Sequence, residues 1–187
     1  MCYSPEVSFG TWILGLVASV YLYTKQQPFL FPLVVSQMQL VEGLRWIKVV
    51  DERVLSILGK FVLYSQPVAA FYEAKKYSFI LPYIVIQSIT ELIYGSRDLR
   101  FVVAKDGHFE WKWIKSPLSI ETIPYWVGLL VGGSFIFPME IFILMAGLFL
   151  YFYINHSKYN TYGSLWCVSV NIMWIYYLFR GSSIFKK

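Results

Sequence analysis

Residues 36–46 read SQMQLVEGLRW, a polar stretch inside an apolar run, Phe29 to Val50, that is long enough to cross a bilayer. On a helix Gln39, Glu42 and Trp46 stand three and four positions apart and so share one face. A carboxylate at membrane depth is costly, and such groups face a bundle interior, a partner or a water-filled cavity rather than lipid. This face is therefore the expected centre of the fold, with the other helices arranged around it.

Composition points the same way. Of 187 residues 57% are hydrophobic, 20% aromatic and only 14% charged, against roughly a quarter charged in a soluble domain. The expectation is one multi-pass integral membrane domain over residues 1–187, with the lipid bilayer as its main partner. Fifteen Tyr, fifteen Phe and seven Trp suit aromatic belts at the two interfaces. The net charge of +5 does not indicate nucleic-acid binding, because the basic residues sit singly between apolar segments without a stripe or recognition motif. They read instead as topology determinants and phospholipid contacts.

Seven spans are expected: Ser8 to Tyr23, Phe29 to Val50, Val54 to Tyr72, Tyr77 to Tyr94, Leu118 to Phe137, Pro138 to His156 and Gly163 to Phe179. The first carries Gly10, Gly15, Ala18 and Ser19, small residues that let a neighbouring backbone approach closely in lipid. No basic segment precedes it and Glu6 does, so it is expected to act as its own insertion signal. Pro67 should kink the third span. Pro138 suits the first turn of a helix, which requires a very tight reversal between the fifth and sixth spans. A single helix of about 38 residues there would be nearly twice the hydrocarbon thickness.

The one long polar loop, residues 96–116 between the fourth and fifth spans, contains FVVAKDGHFEWKW. Two alternating runs flank Asp106-Gly107, the signature of a short β-hairpin. Phe109, Trp111 and Trp113 fall on one face and His108, Glu110 and Lys112 on the other, so the hairpin is expected to lie on the membrane surface with its aromatic side down. Seven spans put the termini on opposite sides. Six lysines and arginines then fall on the C-terminal side and nine on the N-terminal side, a lean towards a cytoplasmic N-terminus. Oligomeric state is left open.

Helical spacing nominates an inward polar cluster. Gln39 and Glu42 come from the second span, Lys60 from the third, Gln87 and Glu91 from the fourth, and Ser164, Cys167, Asn171 and Trp174 from one face of the seventh. A Glu–Lys–Glu arrangement bracketed by amides is net negative, and a bound cation or a shared proton would complement it. The leading expectation is a pocket that binds or passes a small solute, proton or cation. Two other classes stay open: an intramembrane enzyme using Glu42 or Glu91 as acid or base, and a non-catalytic scaffold or receptor that meets a partner or lipid headgroups through the aromatic hairpin, its intramembrane polar groups merely joining helices. His108 and His156 lack a second histidine at ligand spacing and are expected to be exposed and structural, and the cysteines lack zinc spacing, so no metal site is expected. No Gly-rich phosphate loop, GxSxG or HExxH is present, and no cofactor is indicated.

Three motifs occur together in order: Met1-Cys2-Tyr3-Ser4, then Gln39-Leu40-Val41-Glu42-Gly43 with Trp46, then Gly163-Ser164-Leu165-Trp166-Cys167. In this the chain resembles a family of small polytopic membrane proteins of unknown function from bacteria and large DNA viruses of eukaryotes. Its members start Met-Cys-aromatic-Ser, carry Gln-x-x-Glu-Gly-x-x-Trp on the second helix and end in a Ser-Leu-Trp-Cys helix. The resemblance implies about seven helices and supplies no activity. With seven crossings the first and seventh helices start on one side, so Cys2 and Cys167 are expected near one face, either as a disulfide or soft-metal pair or as two independent thiols.

Overall fold

A computed structural model of the chain describes residues 4–105, 107–115, 119–156 and 161. Among them run six helices and one hairpin: α1 (Pro5–Thr24), α2 (Leu30–Ile47), α3 (Glu52–Glu73), α4 (Ile80–Tyr94, entered through a single 3-10 turn at Tyr77–Phe79), β1 (Phe101–Val103), β2 (Phe109–Trp111), α5 (Ile123–Ile136) and α6 (Met139–His156). The stretch expected to form a seventh span lies outside the described residues.

Helix termini follow their sequence signals. Ser4 caps α1 by accepting from the Val7 amide, with Pro5 in the first turn. Asp51 caps α3 by accepting from the Arg53 and Val54 amides. Phe29, at the start of α2, has no capping side chain. The Glu73 carboxylate takes that role from the far end of α3, accepting from the Leu30 and Phe31 amides. The α2–α3 pair is thereby tied at the end opposite its short connecting loop.

Packing centres on α2, which lies against both α1 and α3; α3 in turn packs on α5, and α4 rests on α3 and α5. Gly15, Ala18 and Ser19 of α1 are buried as expected, whereas Gly10 faces open space. A Cβ on Gly43 would meet the Phe9 ring at 3.1 Å, so the glycine of the QLVEG motif sets how closely α1 approaches α2. Three helical segments, Pro5–Thr24, Glu52–Glu73 and Tyr77–Tyr94, are long and apolar enough to cross a membrane. Their outward residues are apolar too: Phe61 is 71% exposed, Leu81 70% and Leu92 85%. An apolar exterior of this extent matches lipid as the surrounding solvent.

α3 continues through Pro67 instead of ending there. Proline has no amide proton for the helical ladder, and the nearby Tyr64 carbonyl takes the Tyr83 hydroxyl of α4 at 2.9 Å. The expected reversal at Pro138 is present. Helix α5 ends at Ile136, Phe137 is extended, and α6 begins at Met139. Trp126, ten positions before the end of α5, meets Phe149, ten positions into α6, with ring centroids 4.3 Å apart. The two helices therefore double back. α5 starts later than expected, at Ile123 rather than Leu118, because Ser119 and Thr122 form a hydrogen-bonded turn before Pro124.

The hairpin pairs Phe101 with Trp111 and Val103 with Phe109. Its connection is longer than a two-residue turn: the Ala104 amide donates to the His108 carbonyl, and Gly107 sits at φ 80°. Its placement corrects the expectation of an aromatic face laid on lipid. Phe101, Phe109, Trp111 and Trp113 are all at most 3% exposed and belong to the protein core. Phe109 lies 4.7 Å from Trp46, and a Cβ on Gly59 would meet both Phe101 and Trp113. The aromatic side thus covers the ends of α2 and α3. His108, expected to be exposed, is 1% exposed.

Candidate functional site

The expected cluster divides into two places. The first is the contact of α1, α2 and α3. Gln39 is 3% exposed and accepts from the Thr11 hydroxyl at 3.0 Å; two positions before it Gln37 accepts from Trp12 Nε1 at 3.4 Å. Glu42 is fully buried, at 0% exposure. Met38, on the same face, reaches the position a Gly59 side chain would fill. Since α3 runs back along α2, Glu42 stands level with Leu55 and Ser56, both 0% exposed. Trp46 continues the face but meets the hairpin, not a cavity.

The second place lies between α3 and α4. Lys60 Nζ contacts Glu91 Oε1 at 2.5 Å and donates to the Ser96 carbonyl at 3.1 Å. Tyr64 donates to Glu91 Oε2 at 2.9 Å. Both carboxylate oxygens are therefore engaged, and the ammonium also lies 6.0 Å from the Trp113 ring centroid. Lys60 and Glu91 are half-buried, with side chains 15% and 25% exposed. Their opposite charges cancel, so this end of the site is polar but neutral.

Beside the pair opens a groove of about 420 Å³, lined by Phe61, Val68, Tyr83 and Ile84 with Tyr64, Ser65, Gln87, Ser88 and Glu91. Carbon dominates its walls. Gln87 is buried and donates to the Glu121 carbonyl at 2.9 Å, fixing α4 against the turn before α5. Glu121 is 2% exposed, and its Oε1 meets no partner among the described residues.

Gln87 and Glu91 thus line one groove, with Lys60 paired to Glu91 beside it, while Gln39 and Glu42 belong to a different contact. Cys2, Cys167 and Asn171, with Ser164 and Trp174, lie outside the described residues, and so does the expected thiol pair. No group of three or more His, Cys, Asp or Glu that would suit a metal occurs among the described residues. Sequence reasoning missed Tyr64, although it sits four residues after Lys60 on the same helical face. It also missed Glu121 and Tyr125, whose hydroxyl donates to the buried Gln66 at 2.9 Å; no local pattern marks either as inward.

Compared with known protein families, curated proteins and solved structures, the chain matches none of them.

Proposed function

We propose that the chain is a multi-pass membrane protein that binds a small amphipathic solute from the bilayer in the groove between α3 and α4. The groove itself carries this reading: about 420 Å³ of mostly apolar space opens beside a carboxylate–ammonium–phenol cluster. A pocket of this kind suits an apolar body with one hydrogen-bonding end. The pair is neutral overall, so a polar but uncharged or zwitterionic end suits it better than a bare ion.

The test is mass spectrometry of amphiphiles that stay with the purified protein. The wild type should retain a bound species that Ser88→Trp, which fills the groove from an exposed position, loses at unchanged thermal stability. Equal retention by both proteins would refute the assignment.

A second reading, passage of a proton or cation, rests on Glu42, a fully buried carboxyl group in the middle of the most intimate helix contacts. It requires cation- or pH-dependent flux in proteoliposomes that Glu42→Gln abolishes.

A further inference from the structure

A second concavity, of about 690 Å³, lies at the hairpin end of the bundle, between the start of α3 and the segment from Arg97 to Arg100 that leads into β1. It shares no residue with the α3–α4 groove. Three acids and three arginines line it, and each acid has at least one oxygen bonded. Asp51 accepts the Arg53 and Val54 amides. Glu52 accepts the Phe101 amide at 2.8 Å and Arg45 at 3.4 Å. Asp98 is held by both arms of Arg100 at 2.6 Å.

The remaining arginines are Arg53 and Arg97. The ion pairs among the described residues are Arg45–Glu52, Lys60–Glu91, Arg100–Asp98 and Lys112–Glu110, so neither Arg53 nor Arg97 has an acidic partner there. Two exposed arginines that form no ion pair thus line one groove. Their planar donor forks match the oxygens of a phosphate group.

The position of the groove adds to this. It sits where α3 begins and α4 has just ended, at the ends of two segments long and apolar enough to cross a membrane. Val54 and Ile57 on α3 and Leu92 and Ile93 on α4 are exposed just beyond it, at 47%, 55%, 85% and 63%. A phosphate bound at the arginines would have apolar surface directly below, as a phospholipid requires.

We infer that Arg53 and Arg97 form a binding site for a phosphate group at the membrane–water boundary. Lipid headgroup and free phosphate share that chemistry, and the experiment separates them. Full-length protein in neutral detergent is equilibrated with phosphatidylglycerol, with phosphatidylcholine, or with inorganic phosphate alone, and bound species are counted by native mass spectrometry and calorimetry.

A lipid site predicts that phosphatidylglycerol is retained at least tenfold over phosphatidylcholine, that Arg53→Gln with Arg97→Gln removes this preference, and that millimolar phosphate does not displace the lipid. A soluble-phosphate site predicts binding of phosphate alone, lost in the same double variant. Both arginines are solvent-facing, so the double variant should melt as the wild type does. The inference is overturned if the double variant, folded by that criterion, binds phosphatidylglycerol and phosphate as the wild type does, or if the wild type binds neither.

Discussion

Lys60 on α3 and Glu91 on α4 meet at 2.5 Å across 31 positions of sequence, and Tyr64 holds the second carboxylate oxygen. The contact joins α4, the most outward of the long helices, to the bundle, and it forms one end of the groove. Removing one partner leaves the other charged group half-buried with fewer ligands. Glu91→Leu or Lys60→Met alone should therefore cost about 1–3 kcal/mol. The double variant, which leaves no orphaned charge, should recover most of that loss. Unfolding of the four proteins in one detergent gives the coupling energy, and strict additivity would show that the pair does not act as a unit.

Helix α5 meets α3 through Gly132, where a Cβ would come within 2.7 Å of the Ala70 Cβ. Neither atom has a rotamer through which to escape. Gly132→Ala should lower stability by about 1–3 kcal/mol. Gly147, on α6, has nothing within 4 Å of that position, so Gly147→Ala should gain about 0.5–1 kcal/mol from helix propensity. Thermal unfolding of the two variants should move in opposite directions.

Trp113 is fully buried and stacks on Trp111 with ring centroids 5.2 Å apart. Trp113→Ala should destabilise by about 3–5 kcal/mol. Because Lys60 lies over its ring, the same substitution should also weaken solute retention in the groove. Preserved stability would contradict the hairpin's place in the core.

The Arg100 guanidinium, bonded to both oxygens of Asp98, holds that carboxyl below its ordinary range. The native chain thus takes up this proton less readily than the unfolded one. The stabilisation is complete above the unfolded carboxyl's pKa and disappears as pH falls through the lowered value. The pair faces solvent, so its effect on stability should be small. NMR titration should find Asp98 below its ordinary value in the wild type and moved upward in Arg100→Gln.

Much of the helical layout was legible in the sequence, because apolar length and terminal signals act locally. The alternation around Gly107 marks the hairpin, whereas Ser4 and Asp51 start α1 and α3 at Pro5 and Glu52, ahead of the Ser8 and Val54 that apolar length alone suggested. Lipid-facing and core-facing apolar residues look alike in sequence, which hid the destination of Phe109, Trp111 and Trp113. The Gln39–Glu42 face was legible as buried. Which carboxylate Lys60 would choose was not, since that depends on the stagger of α3 against α4 and not on spacing within either. Tyr64 and Gln66 resembled ordinary residues of a kinked helix until Glu91 and Tyr125 were placed opposite them.

Site-mapped photolabelling in membranes tests the amphiphile site between α3 and α4 most directly. A photoreactive amphiphile should label Ser65, Val68, Ile84 and Ser88 well above the outward residues Val17 and Leu92, and Ser88→Trp should remove that excess. Uniform labelling of all apolar outer faces, unchanged in Ser88→Trp, would contradict the account.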